Sequence, residues 1–142
     1  MRLFDGTEIQ ARGIFDFIPT DRDLTPTYGL YLDQQWRKRD IAWEREFIDW
    51  PDFGLPQDES SLFAAIARIW ELAKRGDVIE VACAGGIGRT GTVVSCLAII
   101  SGVPANDAVA WARAHYYARA VETNAQEELI ARFGEWYKGR AG

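Results

Sequence analysis

The 142-residue sequence contains a single histidine, His115, and two cysteines, Cys83 and Cys96. A zinc site built from Cys and His therefore has almost nothing to draw on, and a disulfide framework is excluded. A histidine-activated nucleophile is equally short of material, because His115 falls in a stretch that reads as a surface helix. No apolar run approaches the roughly 20 residues that a membrane helix requires. The longest, Val93 to Ile100, contains Ser95 and suits one buried helix. Met1–Gly6 lacks the apolar core of an export signal, so a reducing cytoplasm is the expected location. The net charge of −5 disfavours nucleic acid or an anionic membrane as partner, while leaving room for a small local phosphate pocket. Internal repeats, low-complexity tracts and linkers are also missing, so residues 1–142 read as one domain.

What is present is a sequence able to bury a core: 48% of residues are hydrophobic, with six Trp, seven Phe and five Tyr. The first third reads as β-rich, with strands expected over Glu8–Arg12, Tyr28–Leu32 and Glu46–Asp49. Two prolines and a glycine make Trp50-Pro51-Asp52-Phe53-Gly54-Leu55-Pro56 a loop. A helix capped by Asp58 or Ser60 follows, its apolar face formed by Leu62, Ile66, Ile69, Trp70 and Ala73, with Gly76 ending it. Val78–Ala82 reads as a buried central strand. A helix begins near Arg89 and runs to Gly102; a third opens at Asn106 or Asp107 and ends near Tyr116; a fourth opens at Thr123. This order predicts an α/β sandwich with a small sheet.

The chemistry lies in Cys83-Ala84-Gly85-Gly86-Ile87-Gly88-Arg89-Thr90-Gly91, between the central strand and the next helix. Gly85, Gly86 and Gly88 let the backbone curl so that successive N–H groups point inward. The helix N-terminus adds free N–H groups and the positive end of the dipole. Arg89, six residues after Cys83, can fold its planar fork over the same cradle and grip a tetrahedral phosphate through two oxygens. The same field favours a thiolate at Cys83, the form that attacks without a histidine base. The lack of a Lys-Ser/Thr ending excludes an ATP-type phosphate loop. The competing reading is a buried structural cysteine beside a glycine turn.

The run Cys83 to Thr90 resembles the signature of the protein tyrosine phosphatase superfamily: Cys, five residues, Arg, then Ser or Thr. Trp50-Pro51-Asp52 resembles that family's acid-bearing loop, and Gln126, in Val121-Glu122-Thr123-Asn124-Ala125-Gln126, resembles its late glutamine. The compact size and Gly85-Gly86 resemble the small dual-specificity and kinase-associated branch, including its bacterial and archaeal members. The resemblance implies a three-layer-like sandwich with a small, mainly parallel central sheet flanked by helices. It implies that Ala84, Gly85, Gly86, Ile87, Gly88 and Arg89 bind phosphate, Cys83 forms a phosphocysteine, Asp52 serves as acid and then base, Thr90 hydrogen-bonds the sulfur and Gln126 orients water. It implies no metal or cofactor, phosphoprotein or phosphopeptide substrates, and affinity for phosphate- or vanadate-type anions. The sequence departs from the family at Ala82, where a histidine is usual, and at Tyr117, where small relatives often carry arginine.

Alternatives remain at several positions. Gln126 also fits a capping box with Thr123. Cys96 reads as a small core residue or a redox partner for Cys83. Arg37-Lys38-Arg39 reads as a solvated loop or a steering patch. Arg119 could flank the site. For the whole chain, the expected activity is hydrolysis of phosphotyrosine, with phosphoserine and phosphothreonine further possible substrates. Its rivals are a phospho-binding pseudophosphatase and, from a third class, a thiol-redox or arsenate-reducing protein.

Overall fold

β-Branched residues at alternate positions make Ile79–Cys83 a strand with every residue buried, and this strand organises the sheet. A computed structural model describes residues 1–13 and 24–141. Its four strands are β1 (Gln10–Gly13), β2 (Tyr28–Tyr31), β3 (Glu44–Phe47) and β4 (Ile79–Cys83). They lie in the order β1-β4-β2-β3, and all three pairings are parallel. The helices are α1 (Glu59–Lys74), α2 (Gly88–Ile100), α3 (Ala108–His115) and α4 (Asn124–Ala141). None of the described helices is long and apolar enough to cross a membrane.

The two faces of β4 enter different cores. Ile79, Val81 and Cys83 join the larger cluster, together with Leu62, Ile66 and Ile69 of α1 and Val93, Val94 and Leu97 of α2. Ala82 joins a smaller cluster with Tyr31, Trp36 and Ile41. This second layer is formed by the crossover from β2 to β3, which contains a 3-10 turn at Gln34–Lys38. On this face Tyr31 donates to the fully buried Glu80 at 2.7 Å, and Trp43 donates to Tyr31 at 2.8 Å. The sandwich is therefore three-layered, with α1 and α2 against one face of the sheet and an aromatic crossover against the other.

The element boundaries move slightly from those expected. β1 starts two residues later than Glu8, and the third strand covers Glu44–Phe47 instead of Glu46–Asp49. Asn106 and Asp107 belong to a 3-10 turn ahead of α3. Asp58 caps α1 by accepting from the Ser61 N–H, and Gly76 ends it with φ +100°.

β1 ends on a close backbone approach. A side chain at Gly13 would stand 2.6 Å from the Ala84 carbonyl oxygen and 2.7 Å from that of Gly85. One at Gly86, where φ is +76°, would stand 2.7 Å from the Gly13 nitrogen. The strand end and the following loop thus fit only without Cβ atoms. Gly13→Ala should therefore lower stability by about 1–3 kcal/mol, the usual range for an over-packed site. Urea unfolding measures it, and an unchanged midpoint would contradict the close approach.

Candidate active site

Parallel strands place their C-terminal ends on one edge, and the residues singled out by sequence gather there. Cys83 is the last residue of β4 and α2 starts at Gly88, so the intervening loop bends back over the sulfur. The Gly86 N–H donates to Cys83 Sγ at 3.1 Å. Cys83 is 2% exposed. Tyr116, the C-cap of α3, donates from its hydroxyl to the Gly86 carbonyl. Burial first, and the neighbouring Cys83 second, push the Tyr116 phenol up from its ordinary value, so it stays a donor. Trp36 donates from its indole N–H to the Cys83 carbonyl at 3.0 Å, with its ring stacked on Tyr31. Ala82, which replaces the histidine usual in the resembling family, belongs to the same cluster as these two rings. Support for the loop thus comes from a tryptophan on the neighbouring crossover.

Arg89 is 2% exposed and makes four contacts from two of its nitrogens. One terminal nitrogen donates to the Trp50 carbonyl at 2.8 Å and the Leu32 carbonyl at 3.2 Å. The other lies 2.9 Å from Asp33 Oδ2 and 3.5 Å from Asp52 Oδ1. Its Nε, also buried, has no partner among the described residues. Asp33 performs two tasks, since its other oxygen accepts from the Gln35 N–H and starts the 3-10 turn. The Asp52 side chain is half exposed and accepts from the Phe53 N–H at 3.0 Å. Trp50 closes this loop by donating to the Gly54 carbonyl at 2.8 Å.

The late segment realises the capping reading of Gln126. Gln126 is fully buried, with its N–H on the Thr123 hydroxyl, as in the capping reading. Its Oε1 accepts from the Glu122 N–H at 2.7 Å, while its Nε2 is unpartnered among the described residues. Glu122 is the residue facing the loop: any side chain at Gly88 would collide with the Glu122 carboxylate. The backbone leading to it is strained, because Val121 has φ +65°, an outlier for a β-branched residue and of order 1–3 kcal/mol. Arg113 holds that turn by donating to the Ala120 and Val121 carbonyls, both at 2.8 Å. Arg119 and Glu122 line a neighbouring cleft of about 380 Å³ with Phe53 and Arg113.

Thr90 is fully buried, and its hydroxyl has no hydrogen-bond partner among the described residues. Cys96 is a free, buried cysteine whose thiol is pushed well up, chiefly by burial, as expected of a core residue. Arg37 stacks on Phe47 and Arg39 on Trp36, so both decorate the aromatic crossover. His115 is exposed and stacks on Trp111. Asp33, Trp36, Tyr116 and Glu122 were not singled out from sequence as site residues. Asp33 is itself the cap of the 3-10 turn and Glu122 directly precedes the Thr123 cap, the local trace that each leaves.

The profile of the protein-tyrosine phosphatase family matches residues 22–126. An uncharacterized protein of Methanocaldococcus jannaschii is 31% identical over 115 residues, covering 73% of this chain and 68% of its own length. Among solved structures, Tk-PTP in the active form aligns with a TM-score of 0.67 at 24% identity, over 78% of this chain and 80% of its own. Kinase-associated phosphatase, with its catalytic cysteine changed to serine, aligns with a TM-score of 0.66 at 16% identity, over 80% and 71%. The two solved structures show that the chain shares their fold.

Two substitutions test the geometry. Asp33→Ala removes the nearest carboxylate from the buried Arg89 and should cost about 3 kcal/mol or more, the range for a broken buried pair. Trp36→Phe leaves the Cys83 carbonyl without its donor and should cost about 1–3 kcal/mol. Chemical denaturation reads both, and native stability in either variant would contradict the corresponding contact.

Proposed function

The chain belongs to the protein-tyrosine phosphatase family, and from that premise we propose that it hydrolyses phosphotyrosine in proteins or peptides through a phosphocysteine intermediate. Phosphoserine and phosphothreonine are admitted to the extent that the pocket is shallow. The observation that carries this reading is the meeting of Cys83, Arg89 and Asp52 at one edge of the sheet, with Arg89 3.5 Å from the Asp52 carboxylate. Ala84, Gly86 and Ile87 supply no lysine for a polyphosphorylated lipid headgroup, which favours phosphoprotein substrates.

In the first step the Cys83 thiolate attacks phosphorus. The S–P bond forms, the ester P–O bond breaks, and protonated Asp52 gives its proton to the leaving oxygen. Charge spreads over the three remaining phosphoryl oxygens, where the loop amides and Arg89 stabilise it. The unpartnered Arg89 Nε is the edge of the fork still free to take an oxygen. In the second step water attacks phosphorus, the S–P bond breaks, and Asp52 takes the water proton. The Thr90 hydroxyl, without another partner among the described residues, is available to the departing sulfur. Gln126 enters through its effect on Glu122, whose backbone it holds.

Hydrolysis of an aryl phosphate tests the reading. Wild type turns over, Cys83→Ser does not, and Asp52→Ala loses about 10²–10⁴-fold in rate. Full activity in Cys83→Ser would refute the mechanism. Binding of vanadate without turnover would instead make the protein a phospho-binding module. Peptides carrying each phosphorylated residue then rank selectivity.

A further inference from the structure

The mechanism above leaves one carboxylate at the loop without a task. Glu122 stands against Gly88, the first residue of α2, and the Gly88 amide acts on its carboxylate in favour of the charged form. Its position is held by three independent contacts: Arg113 on the Ala120 and Val121 carbonyls, Gln126 on the Glu122 N–H, and Ala120 packed on Gly91. Among the described residues, three buried polar atoms of this region lack a partner: Arg89 Nε, Thr90 Oγ1 and Gln126 Nε2, the last beside Gly88. An amide that would serve an anion is thus shared with a resident anion. A phosphate bearing no proton meets repulsion there, whereas one bearing a P–OH can donate it to the carboxylate.

We propose that Glu122 makes this loop selective for oxyanions that share a proton with its carboxylate, so that a singly protonated phosphate is preferred over an unprotonated dianion. The inference rests on the phosphatase reading and names the specificity of that site. The proton can start on either partner. The charged groups acting on Glu122 are Asp52 from the Trp50–Pro56 loop, Arg89 from α2 and Arg119 from its own segment. Arg113 of α3 lines the same cleft, with its donors committed to carbonyls. Burial and then the Asp52 charge raise the Glu122 carboxyl above its ordinary value, against the arginines and the Gly88 amide. Glu122 therefore keeps its proton to higher pH than a free glutamate. Oxyanion binding strengthens as pH falls through this titration and weakens above it.

The test is inhibition of aryl phosphate hydrolysis by inorganic phosphate and by sulfate, which carries no proton at neutral pH. Wild type, Glu122→Gln and Glu122→Ala are compared across a pH series. The preference of wild type for phosphate over sulfate should shrink by about fivefold or more in both variants, the scale of one charge a few ångströms away in water. Glu122 is exposed, and the alanine variant keeps the test intact should glutamine disturb the loop. Hydrolysis with an unchanged phosphate-to-sulfate ratio in both variants overturns the role of Glu122 and leaves the phosphatase reading standing. No hydrolysis by wild type, and no protection of Cys83 from alkylation by either oxyanion, overturns both.

Discussion

The site is organised around a buried cation. Arg89 is 2% exposed, and a charge so placed must be met by partners on every side or it costs several kcal/mol. Its partners come from the ends of two other strands: the Leu32 carbonyl and Asp33 follow β2, and the Trp50 carbonyl and Asp52 follow β3. Because the sheet is parallel, these ends share one edge with the Cys83 end of β4. The guanidinium thus ties together three segments far apart in sequence and holds the Trp50–Pro56 loop at the edge where β4 ends. The same pairing leaves Nε without a partner among the described residues, so the group that locks the architecture also keeps one donor edge open.

The loop between Cys83 and Arg89 is shaped by what surrounds it as much as by its glycines. Gly13 and Gly86 meet backbone to backbone, which fits the loop tightly against the end of β1. Tyr116 takes the Gly86 carbonyl and Trp36 the Cys83 carbonyl. Inside the loop the Gly86 N–H turns to the Cys83 sulfur, the inward direction an anion cradle needs. Trp36 also accounts for how the loop is supported with alanine at position 82. The aromatic crossover supplies this donor from the adjacent layer.

At Val121 and Glu122, backbone strain and charge come together. Val121 in a left-handed conformation persists because Arg113 and Gln126 hold the backbone on both sides of it. The result is a carboxylate at the first amide of α2. Asp52 acts on Glu122 through its charge, and Arg89 acts on both. One is half exposed in its loop and the other is raised by burial and by its neighbour's charge.

The strand–loop–helix unit and the Trp-Pro-Asp loop were legible from the residues alone, because each is written in contiguous sequence. β-Branched residues require a buried strand, three glycines in four positions require a curled backbone, and Cys83 and Arg89 sit at a spacing that this curl brings together. The Thr123–Gln126 cap was legible for the same reason. Asp33, Trp36, Tyr116 and Glu122 were not, because their contacts span tens of residues and depend on how strands are ordered across the sheet. Gln126 shows the limit most clearly: sequence gave it an identity as a cap and a candidate for water, and packing turned its side chain toward the Glu122 backbone. Local sequence, then, determined which groups could do chemistry here. Tertiary structure decided which of them face one another, since burying Arg89 is affordable only where strand ends bring it carboxylates and carbonyls.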